Sequence, residues 1–131
     1  MKRTILIVAA VLIAVSAALY GAIRWHQYRQ WGRIGAPRLF AAMNKDFAKH
    51  ELKAEMLDGG TLYYGGNCGA LWLRMAVTAP EAEKMTGAGF EIDLAPGRHE
   101  YLVKAHFARD PNNRRHFRPE PGGYEITRVT P

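Results

Sequence analysis

Apolar positions along this chain fall into three regimes: an unbroken run, then a helical stripe, then alternation. Residues 4–23 hold no charged side chain, with Lys2 and Arg3 before them and Arg24 after. About 20 apolar residues wound as a helix cross the ~30 Å hydrocarbon core of a bilayer. The segment is therefore expected to cross a membrane once and stay there as a signal-anchor. The alternative is a cleaved signal peptide, with a core over residues 5–15 and small residues Ser16, Ala17 and Ala18 at the cut. The apolar character continues to Ile23, further than a signal core needs, and this favours retention.

An aromatic and arginine skirt follows. Tyr20, Trp25, Tyr28 and Trp31 suit the headgroup level, and Arg24 and Arg29 can reach lipid phosphates. Lys and Arg lie on both flanks, so charge counting alone would put the C-terminal side in the cytoplasm. The signal-like start points the other way. The expected location is a bacterial inner membrane with the C-terminal domain outside the cytoplasm; export after signal cleavage is the alternative.

Gly32, Gly35 and Pro37 are expected to end the membrane-continuous helix and open a second one. Leu39, Met43, Phe47, His50, Ala54 and Leu57 then recur at helical spacing, with Asp58-Gly59-Gly60 as the stop. Lys45, Lys49 and Lys53 form a cationic row on another face.

From Thr61 the period becomes two. Strands are predicted over residues 61–64, 70–78, 90–94, 101–107 and 124–129, with turns at residues 65–67 and at Pro96-Gly97. Residues 109–123, RDPNNRRHFRPEPGG, read as a long basic loop. The fold class is α+β: one N-terminal transmembrane helix, then an amphipathic helix packed on an antiparallel sheet of about five short strands. A small β-sandwich is the alternative. The expected division is residues 1–23 membrane helix, 24–37 juxtamembrane helix end and linker, and 38–131 the domain.

In outline this order of elements resembles type IV pilins and pseudopilins. The residues depart from that family. No processing site precedes the apolar run, no Glu stands near its start, and residues 32–37 are expected to break the helix where such proteins run on. The segment 90–105, with Leu94, Pro96-Gly97 and Tyr101, resembles hairpins of transthyretin-like and PEGA β-sandwiches. Neither resemblance carries a function over.

Charge sharpens the picture. The 18 Lys and Arg exceed the 12 Asp and Glu. Much of the excess is local, in Arg98, Lys104, Arg109, Arg114, Arg115 and Arg118 against Glu100 and Asp110. Such a field attracts anionic lipid, an acidic protein face or polyanionic glycan. Arginine forks suit phosphate and carboxylate, so Arg109, Arg114, Arg115 and Arg118, with His116 and Phe117 among them, are the leading binding candidates. Lys45, Lys49 and Lys53 come second.

No spacing pairs the single Cys68 with a histidine as nucleophile and base, and the five histidines show no zinc-type spacing. Glu51 and Glu55 form a carboxylate pair one turn apart, with no partner across a cleft. No phosphate loop or nucleophile elbow is present. The expectation is a membrane-anchored, non-enzymatic protein without metal or cofactor. Its small basic domain would bind a membrane or periplasmic protein partner, as an accessory, assembly or inhibitory subunit. Nucleic acid and small-molecule substrates are not expected. The alternatives are an anion-binding module for lipid headgroups or cell-wall polymer, and a small Cys-dependent enzyme or redox protein.

Overall fold

The structure, a computed structural model, describes residues 1–129, apart from the side chains of Arg114, Arg115 and His116. One helix, α1 (Lys2–Lys49), is followed by six strands: β1 (Lys53–Tyr64), β2 (Cys68–Ala79), β3 (Glu83–Gly87), β4 (Phe90–Leu94), β5 (Gly97–Asp110) and β6 (Asn113–Val129). The α+β class read from the sequence is the class observed. A four-stranded antiparallel sheet has the order β1-β2-β5-β6, and β3 and β4 pair only with each other as an inserted hairpin.

Residues 2–23 of α1 are exposed throughout, and the helix is long and apolar enough there to cross a membrane. The second half packs on the sheet. The expected break at residues 32–37 is absent, and a single 48-residue helix joins the apolar segment to the domain. The reason is packing. Gly32, Ala36, Leu39, Met43 and Phe47 form one buried stripe. Gly32 lets β1 approach so closely that an added Cβ would lie 2.7 Å from the Thr61 nitrogen. Pro37 removes one helical N–H donor, but it sits on the exposed side between the buried Ala36 and Leu39. Tyr28 and Thr61 also bind each other reciprocally: the Tyr28 hydroxyl donates to the Thr61 carbonyl at 3.1 Å, and the Thr61 hydroxyl donates to the Tyr28 carbonyl at 2.8 Å.

The helix also stops earlier than its stripe predicts. It ends at Lys49, and residues 53–64 are strand. Glu51 adopts a left-handed φ of 60°, the Glu51 N–H reaches the Ala48 carbonyl at 3.1 Å, and the Leu52 N–H reaches the Phe47 carbonyl at 2.9 Å. This is a Schellman motif with the buried Leu52 folding back toward Phe47, built without the usual glycine. Lys53 consequently leaves the helix, and the expected row of three lysines reduces to Lys45 and Lys49. His50, which its spacing places on the apolar stripe, is exposed, with its Nδ1 3.2 Å from a Glu83 carboxylate oxygen.

The core lies between α1 and the β3–β4 hairpin on one side and the inner sheet face on the other. Leu73, Met75 and Val77 of β2 and Tyr101, Val103 and Ala105 of β5 meet Met85, Phe90 and Ile92 of the hairpin and Phe47 of the helix. Phe47 and Phe90 pack with ring centroids 6.0 Å apart. The Tyr101 hydroxyl accepts the Ala95 N–H at 3.0 Å. Gly97 has the positive φ, 90°, that the Pro96-Gly97 pair predicts.

The contacts of α1 fix the direction of the sheet. Tyr28 meets Thr61, and the later Ala36 meets Gly59, so β1 descends toward the apolar segment as α1 leaves it. The β1–β2 and β5–β6 turns therefore lie at the end of the domain nearest the apolar segment.

Candidate functional site

The hairpin covers only the far part of the inner sheet face. Nearer the apolar segment, between α1 and the β5–β6 pair, an open groove of about 620 Å³ remains. Trp31, Ile34 and Arg38 form its helical wall, and Leu71, Phe107 and Tyr124 lie along the sheet side. Trp31 is the hub. Its ring lies 5.4 Å from Tyr64, 6.1 Å from Phe107 and 6.2 Å from Phe117. Gly69 makes this possible, because a Cβ there would stand 2.7 Å from the Trp31 ring. Burial pushes the Tyr124 phenol above its ordinary value of 10.0.

Two arginines frame the aromatic cluster. The Arg24 guanidinium lies 5.5 Å from the Tyr64 ring centroid, and that of Arg109 lies 5.5 Å from Phe117. The buried Arg109 Nε has no hydrogen-bond partner among the described residues. Arg118 pairs with the buried Asp110 at 2.8 Å, and Asp110 also accepts the Asn112 N–H at 2.9 Å.

The predicted basic loop is therefore a pair of strands joined by a tight turn. Arg109 lies on β5, residues 114–118 lie on β6, and the side chains of Arg114, Arg115 and His116 are outside the described set. Arg109, Phe117 and Arg118 share with Trp31 the end of the sheet nearest the apolar segment. Lys45, Lys49 and Lys53 stand at the opposite end and do not join them; Lys49 lies 4.0 Å from Asp46. Among the residues expected in the membrane interface, Tyr20, Trp25 and Arg29 are exposed, and Trp25 stacks on Tyr28 at 5.7 Å. Tyr28 and Trp31 are instead engaged by the sheet.

Cys68 is exposed on the first residue of β2, opposite Ala108. His106 Nδ1 is 3.2 Å from the Tyr63 hydroxyl. No group of three His, Cys, Asp or Glu side chains that could hold a metal ion occurs among the described residues. Tyr64, Leu71, Phe107 and Tyr124 were not among the sequence candidates. Their alternation marks them as inward-facing strand residues, but nothing local says that the cover stops short of them.

No family model, curated protein or solved structure matches the chain.

Proposed function

We propose that this is a single-pass, membrane-anchored, non-enzymatic accessory protein, and that its groove holds an amphipathic segment of a membrane-associated partner protein. The observation that carries the reading is an uncovered aromatic groove held beside the membrane segment by one unbroken helix. Such a site is held close to the bilayer and suits a partner embedded in the same membrane. Along α1 the lining runs from Gln27 to Ala42, about 22 Å at the helical rise and enough for a helix of about four turns. Apolar rings along the floor and Arg38 at the wall call for a segment with one apolar face and a flanking carboxylate. Arg33 and Arg38 make no ion pair among the described residues. The proposal places the domain on the non-cytoplasmic side.

A photoreactive residue at Ile34, in the groove, compared with one at the exposed Ala41, outside it, tests the reading in native membranes. The expected result is an adduct from position 34 that maps to an acid-bearing amphipathic segment of a membrane protein and weakens with Arg38→Glu. An adduct with a second copy of this chain, or equal yields from both positions, overturns it. A reporter fused after residue 131 that is active on only one side of the membrane reads the orientation.

A further inference from the structure

The membrane-segment end of the sheet carries a second surface, distinct from the groove. Two independent measures set its height. Tyr64, the last residue of β1, lies under the Arg24 guanidinium at 5.5 Å, and Arg24 is the first residue after the apolar run. Trp31 stands about 12 Å above Ile23 along the helix. It touches Phe107 at 6.1 Å, and β5 then descends to Asp110, returning about 10 Å toward the membrane. Both routes bring the turns at residues 65–67 and 111–112 to the level where hydrocarbon gives way to headgroups, a layer about 5–8 Å deep on each side.

Charge supports the same end. Farther from it, Arg74 pairs with Glu100, Arg98 with Glu55 and Lys84 with Glu91, while Lys45 and Lys53 make no ion pair among the described residues. At the near end Arg24, Arg29, Arg33 and Arg109 make no ion pair among the described residues, and Arg29 and Arg33 are exposed. The carboxylate on the turn, Asp110, is 5% exposed and already held by Arg118 at 2.8 Å. Glu120 follows Pro119, which pairs with Phe107, and so stands higher.

We infer that the β5–β6 tip and the juxtamembrane arginines form one surface that docks on anionic phospholipid headgroups of the bilayer that α1 crosses. The sheet is thereby seated on the membrane, with the arginines of helix and tip as its two supports. A basic side chain at an anionic surface shifts such a docking equilibrium by about fivefold.

Cys68 is the chain's single cysteine and lies at this end, so a nitroxide placed there reads depth without any substitution. The full chain is reconstituted in vesicles of phosphatidylcholine, with or without phosphatidylglycerol. In phosphatidylglycerol at low salt the label is expected in the headgroup layer, shielded from a water-soluble paramagnetic quencher. It should lift when salt rises from about 0.01 M to about 1 M, which cuts the screening length from about 30 Å to about 3 Å. Arg109→Gln is expected to lower the docked-to-lifted ratio about fivefold. Because Arg109 also stacks on Phe117, the lipid and salt arms on the unchanged chain decide the matter independently. Equal label depth in both lipids at every salt overturns the inference. So does shielding in pure phosphatidylcholine that appears only when a soluble anionic polymer is added, since the polymer and not the lipid would then be the ligand. Neither result bears on the groove, which is read by cross-linking.

Discussion

Alanine at position 32 sets helix propensity against tertiary packing. In a helix interior, Gly→Ala gains about 0.8–1.0 kcal/mol. The added methyl of Gly32→Ala would meet the Thr61 hydroxyl, and would lie 2.7 Å from the Thr61 nitrogen and 2.9 Å from the Gly60 carbonyl carbon. The hydroxyl can swing aside, at the loss of its 2.8 Å bond to the Tyr28 carbonyl, worth about 1 kcal/mol. The backbone atoms cannot swing, and forcing α1 off β1 costs about 1–3 kcal/mol as overpacking. The balance is a loss of about 1–3 kcal/mol. Two other glycines of the same helix calibrate it. At Gly35 the new methyl meets Leu71 Cδ1 at 2.8 Å, the end of a flexible side chain, and at Gly21 it meets nothing within 4 Å. Denaturant titration of the full chain in nanodiscs, followed by tryptophan fluorescence, should therefore rank Gly32→Ala well below the parent, Gly35→Ala close to it and Gly21→Ala no lower than it. A Gly32→Ala protein as stable as the parent would refute the claim that close approach of β1 is what carries the helix through this region.

Two further outcomes follow from local geometry. Glu51 holds a left-handed φ of 60° at the helix end, a conformation that costs a residue with a Cβ about 1–2 kcal/mol. After the extra chain entropy of glycine, Glu51→Gly should gain about 0.5–1 kcal/mol, and a lower denaturation midpoint would show that the Schellman geometry is wrong. Burial raises the Tyr124 pKa above 10.0, so the folded state holds that proton more tightly than the unfolded chain does. Its contribution is complete below pH ~10 and is lost as pH rises through the higher folded value. Tyr124→Phe should flatten that part of the alkaline decline in midpoint; a variant that falls as steeply as the parent rules Tyr124 out as its source.

How much was legible in the sequence differs by element. The period-two segments became strands because alternation reports directly on a sheet with one buried face, as Leu71, Leu73, Met75 and Val77 show. The Pro96-Gly97 turn was legible because its conformational demand lies within the pair itself. Residues 109–123 were misread as loop because their prolines, glycines and charges are poor strand formers. Here β5 supplies a template on one edge, and an irregularity in register between Ala105 and Phe107 absorbs residues 120–123. The stripe through Ala54 and Leu57 misled for a related reason: residues 53–56 also alternate, and only the turn at Glu51 decides between the two periods. For the candidate site, composition points to Arg109, Phe117 and Arg118, whereas the neighbouring apolar run draws Trp31 toward the membrane and alternation alone does not distinguish Tyr64, Phe107 and Tyr124 from other strand residues.

The sequence by itself determined the apolar span, the α+β class and the inward-facing residues of the alternating strands. Each is a local matter of hydropathy, period or backbone freedom. It left β3 unseen and read the start of β1 as helix. Tertiary structure alone decided that α1 runs unbroken through Gly32, Gly35 and Pro37 and stops at a glutamate. Local preferences disfavour both, by about 1 kcal/mol for each interior glycine and about 3 kcal/mol for a proline. Burial of Ala36, Leu39, Met43 and Phe47 against a sheet formed later in the chain outweighs them. The groove has the same origin. It is the stretch of inner sheet face that α1 and the β3–β4 hairpin border but do not cover, an opening set by the lengths of elements distant in sequence.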